Sequence, residues 1–160
     1  SIINVGRLVA QQLTLSCSGA SSTRLGGSVG KLTMSITGAA NLGAQDLVAQ
    51  ELKAEMKGST LGKLAVQGSA KVDVSGASSL TLSGTADLFT INCVGASSVK
   101  AAALKAQNVV VEVSGASNVK CYAERSIKGI VSNGSLTYGG HPTSFNVERK
   151  NTTASIKAVD

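Results

Sequence analysis

The stretches VSGASSL at Val74–Leu80 and VSGASNV at Val113–Val119 are two copies of one phrase. Further copies read SCSGASS around Gly19, SITGAAN around Gly38 and NCVGASS around Gly95. EMKGSTL around Gly58 and IVSNGSL around Gly134 are degenerate versions. The central glycines, Gly19, Gly38, Gly58, Gly76, Gly95, Gly115 and Gly134, follow one another at intervals of 19, 20, 18, 19, 20 and 19 residues. A fixed period of this length marks a solenoid, in which each repeat contacts only its neighbours.

Working outward from the phrase, the chain divides into rows Leu15–Thr33, Met34–Lys53, Ala54–Lys71, Val72–Thr90, Ile91–Val110 and Val111–Gly129, with a partial row from Ile130. The first position of each row holds Leu15, Met34, Ala54, Val72, Ile91, Val111 and Ile130. The third holds Cys17, Ile36, Met56, Val74, Cys93 and Val113, then Ser132. Between them lie polar residues such as Glu55, Asp73, Asn92 and Glu112, the in–out alternation of a strand with one buried face. Glycine and a small residue then turn a corner. Beyond it, Leu80 and Leu82 stand over Val99 and Ala101, and these over Val119 and Cys121, forming a second wall. A less regular third run passes through Leu47, Leu64, Phe89, Leu104, Val109 and Ile127. The fold expected is all-β: a single-stranded parallel β-helix of about seven rungs, stacked about 4.8 Å apart.

One local signal competes. Gly43–Met56, GAQDLVAQELKAEM, has strong helical propensity, and so does AAALKAQ at Ala101–Gln107. Both lie inside the rhythm, and a helix of that length would consume the strands of its own row. The repeat is expected to prevail, leaving room at most for a short helical bulge on one corner.

Composition supports a thin interior. Of the 160 residues, aromatics make up 2% and charged residues 15%, the latter well below the roughly 25% of ordinary domains. The core must therefore be made of small and branched aliphatic side chains. Net charge is +6. The basic residues form no block and no aromatic platforms lie between them, which argues against nucleic-acid recognition. Weak attraction to anionic surfaces or polysaccharides fits better. No segment has the length and apolarity of a membrane span. Cys17 and Cys93 share an inward column but stand four rungs apart, beyond disulfide reach, so they and Cys121 read as buried free thiols. With one histidine, His141, no metal site is expected, and no cofactor motif is present.

Chemistry is sparse. Glu55, Asp73 and Glu112 share an outward position, with Asp73 and Glu55 on neighbouring rows. The pair lacks nearby arginines and any aromatic sugar platform. An exposed pair balanced by Lys57, Lys71 and neighbouring side chains accounts for it without catalysis. A corner column, Ser22, Asn41, Ser79, Ser98 and Asn118, is more regular and suits tight turns or sugar hydroxyls. Lys100 and Lys120 share a row position beside it. Ser79, Ser98, Asn118, Lys100 and Lys120 are therefore the candidate surface contacts. Tyr138 is placed at the ninth row position, with Leu80, Val99 and Val119, as a core plug. Asn151-Thr152-Thr153 has the form of a glycosylation sequon.

The tandem VSGAS phrases, with the closing Tyr138-Gly139-Gly140-His141-Pro142, resemble the putative autotransporter adhesin head GIN domain family of Bacteroidetes. The resemblance spans Thr14–Ser155. It implies a right-handed parallel β-helix and an exported protein, at the cell surface, outer membrane or periplasm. It assigns no catalytic residues. The expected organisation is one domain, with 1–14 as an amino-terminal cap or divergent rung, 15–140 as repeats and 141–160 as carboxy-terminal cap strands. The expected function is a noncatalytic binding or adhesion module presenting a ladder face to a glycan or protein. A structural stalk that self-associates is the competing expectation, and a polysaccharide-processing enzyme the distant one.

Overall fold

The computed structural model describes residues 1–159, and they are all-β, without a helix. The strands are β1 (Ile2–Ser18), β2 (Ser21–Gly76), β3 (Ser79–Cys93), β4 (Ser98–Val113), β5 (Asn118–Val131), β6 (Ser135–Gly139), β7 (Ser144–Arg149) and β8 (Ser155–Ala158). Every strand pairing is parallel, and each row stacks on the next in chain order. The molecule is a parallel β-solenoid of about eight rows of about 19 residues. Strand character runs through the corners at Gly38 and Gly58, so β2 alone carries the chain through several rows, and it breaks at the other glycine corners.

The corner glycines stack as one column. Gly19, Gly38, Gly58, Gly76, Gly95 and Gly115 all have positive φ. A Cβ added to Gly115 (φ +73°) would lie 2.6 Å from the carbonyl oxygen of Gly95 in the row before it. The position demands glycine twice over, for its backbone conformation and for the closeness of the next row.

Inside the corner, the second residue after the glycine turns inward. Ser78, Ser97 and Ser117 are buried. Each hydroxyl donates to the glycine carbonyl one row back: Ser78 Oγ to Gly58 O, Ser97 Oγ to Gly76 O and Ser117 Oγ to Gly95 O, each at 3.0 Å. Each also lies 3.0–3.1 Å from the carbonyl three residues before it. These serines clamp the corner within its row and to the preceding one. Ala40 and Thr60 occupy the same place, and the buried Thr60 hydroxyl has no partner.

The core is a narrow column of small and branched side chains. Met34, Ile36, Val72, Val74, Ile91, Cys93, Val111 and Val113 are all at most 2% exposed, while Leu15, in the outermost row, is half-buried. Leu80, Val99 and Val119 stack in register, as do Ala101 and Cys121. The segment Gly43–Met56 lies wholly within β2, with Leu47, Ala49, Leu52, Ala54 and Met56 buried. Its helical propensity yields to row-to-row pairing and to burial of alternate side chains, which a helix would forfeit.

Three expected placements differ. In the last full repeat, Glu112 faces Ile130 and Val113 faces Val131. Ile130 thus points outward, half-exposed, and Val131 fills the core column in place of Ser132. The left-handed corner residue there is Asn133 (φ 61°), not Gly134. Asparagine tolerates this conformation better than other side chains. The corner is one residue shorter, so Leu136 pairs with Val119 and Tyr138 with Cys121. Tyr138 therefore stands two positions further along the wall than expected, half-buried, with its ring centroid 5.0 Å from that of Phe145. Thirdly, the irregular third run is not one column. Phe89, Val109 and Ile127 align with one another, Leu64 pairs with Leu82 on the second wall, and Leu104 lies opposite Gly84. Register shifts at Gly68/Ser69, Thr81/Ser83 and Ala101/Lys105 explain why this side has no clean period.

At the two ends the stacking continues. β1 pairs with β2 from Ile2↔Ser22 to Ser18↔Thr37, with one shift between Val5 and Leu8. β7 adds to β5 and β8 to β6, both in parallel. Phe145 pairs with Ile127 but remains 44% exposed.

Candidate functional site

The second wall offers the most regular outer face. Each row enters it just after the glycine corner, and alternate residues point out. Two columns result. The first runs through Ser79, Ser98, Asn118, Ser135 and Ser155, in register from row to row. Asn118 Oδ1 accepts from Ser135 Oγ at 2.9 Å, tying two rows together on the surface. The second column, two residues on, runs through Lys63, Thr81, Lys100, Lys120, Thr137 and Lys157. All four lysines are exposed. The five residues expected as surface contacts, Ser79, Ser98, Asn118, Lys100 and Lys120, thus lie side by side on three successive rows.

Toward the amino-terminal end the same face sinks into a shallow groove of about 530 Å³. Its lining includes Ser22, Asn41, Leu61 and Ser79 from the first column, and Arg24, Gly43, Lys63 and Thr81 from the second. Gly43 has no side chain to offer between Arg24 and Lys63, so the wall dips there. Gln45 and Asp46 form one edge of the groove. The groove and the ladder are one continuous surface, backed by the buried side chains of the wall. Sequence reasoning found the Lys100–Lys120 part and missed Arg24, Lys63 and Lys157. Their spacing in the sequence is irregular because row lengths vary, and only the pairing register reveals the column.

The first wall is different in chemistry. Asp73, Asn92 and Glu112 align, with Glu55 on the row before Asp73. Lys57 Nζ sits 2.7 Å from Glu55 Oε1. That hydrogen bond, and then the lysine's charge, hold the Glu55 carboxyl below the usual carboxylate range. A carboxylate kept ionised in this way is poorly suited to act as a general acid near neutrality. Lys31 and Glu51 form a looser exposed pair at 3.9 Å.

The three cysteines are buried and unpaired. Burial pushes the Cys121 thiol up to about 12 and raises Cys93 as well. Neither has the electropositive, accessible setting of a reactive thiol. Cys17 Sγ lies 3.4 Å from Thr23 Oγ1. The described residues hold no cluster of three or more metal-ligating side chains, and no helix long and apolar enough to cross a membrane. Asn151, of the sequon, is exposed and bonded to the neighbouring row: its Nδ2 donates to Asn133 Oδ1 at 2.5 Å, and its Oδ1 accepts from the Asn133 backbone at 3.1 Å.

Residues 1–80 and 61–142 each match the model of a family described as putative auto-transporter adhesin, head GIN domain. The two matches overlap, and together they cover most of the chain. Among solved structures, the chain is similar to a putative adhesin from Bacteroides fragilis NCTC 9343, with 16% identity over 99% of this chain and 91% of that one and a TM-score of 0.59. At that identity the likeness concerns the fold. No curated protein matches the chain.

Proposed function

The chain belongs to the putative auto-transporter adhesin head GIN domain family, and from that premise we propose that it is a noncatalytic binding or adhesion module acting outside the cytoplasm. Its working surface is the outer face of the second wall. The observation that carries this reading is the two-column ladder, in which the same polar positions repeat in register over many rows. Such a face offers many weak contacts at fixed spacing, and a repetitive ligand can engage several at once, so modest affinities multiply. Because the rows are joined by backbone hydrogen bonds, little order has to be created on binding, which lowers the entropic cost. The pairing of Glu55 with Lys57 on the first wall supports a function without turnover.

The test is binding of the purified chain to an array of glycans and matrix proteins at physiological salt, repeated at higher salt. A ligand retained at both, and competed by its own free form, is the expected result. Equal binding to every polyanion on the array, lost alike with salt, would leave only screened, nonspecific attraction and would sink the reading. Turnover of an acidic glycan that disappears in Asp73→Ala would replace it with an enzyme.

A further inference from the structure

We infer that the second wall is a docking strip for a linear acidic polysaccharide laid along the solenoid axis, an inference that rests on the binding-module reading above. The strip consists of Arg24, Lys63, Lys100, Lys120 and Lys157 in one outward column, flanked by the Ser/Asn column.

The charge distribution is the first argument. The chain has 15 basic and 9 acidic residues. Five of the basic ones and one acid stand on this strip, which therefore carries +4 of the net +6, while the remaining ten basic and eight acidic residues carry only +2. The single acid there is Asp46, at the groove edge. Among the described residues, the ion pairs join Lys31 to Glu51 and Lys57 to Glu55, so no strip cation is engaged by a carboxylate. The first wall, with Glu55, Asp73 and Glu112 among its lysines, has no comparable field.

Geometry is the second argument. At about 4.8 Å per row, successive strip cations are one or two rows apart, roughly 5–10 Å, over a length of roughly 34 Å. That periodic line of charge fits a polymer bearing a carboxylate or sulfate at each repeat. It runs straight because the pairing register keeps Lys63, Thr81, Lys100, Lys120, Thr137 and Lys157 in one file.

The third argument separates a polysaccharide from a nucleic acid. The strip has no aromatic side chain in either column, and stacking on aromatics is what single-stranded nucleic-acid surfaces use. What lies beside the cations is Ser22, Asn41, Ser79, Ser98 and Asn118, whose hydroxyls and amides both donate and accept, as sugar hydroxyls do.

The experiment uses the whole 160-residue chain and three probes: polygalacturonate, its methyl-esterified neutral counterpart, and single-stranded DNA. Wild type is compared with Lys100→Gln/Lys120→Gln and with Lys53→Gln/Lys71→Gln on the first wall, which removes the same charge. Polygalacturonate is expected to bind and the ester not to. The strip variant should lose about tenfold or more in affinity. Its log–log salt slope should become shallower by about 1.4, at roughly 0.7 for each of the two lysine–anion contacts removed, the value for single-stranded nucleic acid. The first-wall variant should stay within about twofold of wild type. Equal losses in the two variants, tighter binding of DNA than of polygalacturonate, or no binding of polygalacturonate overturns the inference. A neutral glycan or protein ligand indifferent to Lys100 and Lys120 would overturn it too, and would leave the binding-module reading standing.

Discussion

At the scale of single residues, the corner column separates two costs that usually come together. Gly19 and Gly115 share nearly the same backbone conformation, at φ +71° and +73°. A Cβ at Gly19 would meet nothing within 4 Å, whereas at Gly115 it would strike the previous row's carbonyl at 2.6 Å. Gly19→Ala should therefore cost only the left-handed penalty, about 1–2 kcal/mol. Gly115→Ala should add the clash and lose roughly 3 kcal/mol or more. Urea midpoints of the two variants measure the difference, and equal values would contradict the stacked column. Cys121 gives a second residue-scale expectation. Burial raises its pKa to about 12 from the 9.0 of an exposed thiol. Between those values the folded thiol keeps a proton that the unfolded one loses. The folded state then binds more protons, so stability falls as pH rises through that window. Its contribution is fully present below pH 9. Cys121→Ala should flatten the alkaline limb of a stability–pH curve even though it lowers stability at neutral pH.

At the scale of elements, the sequence was legible where spacing and chemistry agreed. Val74, Gly76, Leu80 and their counterparts two repeats on declare strand, corner and strand in one phrase, and the structure has them so. It was less legible where a substitute residue did the same job. Asn133 takes the corner conformation that Gly134 advertises, and this one-residue offset moves Ile130 outward and shifts Tyr138 along the wall. The corner serines were only half legible for a related reason. The outward Ser79 and Ser98 drew attention, while the buried Ser78 and Ser97 hold the rows together, and alternation alone cannot distinguish a small polar residue facing in from one facing out. On the third side, register shifts absorb the differences in row length, so no fixed period survives there. The candidate strip suffered from the same cause. Lys100 and Lys120 are twenty apart and easily matched, but Lys63 and Lys157 join them only through paired neighbours.

At the scale of the whole molecule, contacts run almost entirely between adjacent rows, so stability is a sum of row and interface terms. The interior rows have a neighbour on both sides and their apolar side chains are wholly buried, as at Val99, Val111 and Val119. In the first row Ile2 is 86% and Val9 79% exposed. Amide hydrogen exchange under native conditions should therefore grade along the axis. Protection should be greatest across β3, β4 and β5 and least in β1, over at least about two orders of magnitude in rate, which corresponds to roughly 3 kcal/mol in opening free energy. Uniform protection would mean the rows open together and that the nearest-neighbour description fails.

The parallel stacking has a mechanical consequence. Bonds between rows lie along the axis, and the chain enters at one end of the stack and leaves at the other. Tension applied through those ends meets one row interface at a time. Each row that peels away frees about 19 residues, or roughly 65 Å of slack at full extension. A tether built this way yields in steps and dissipates work as it lengthens, while the rows still stacked keep their charged file intact and their grip on whatever they hold.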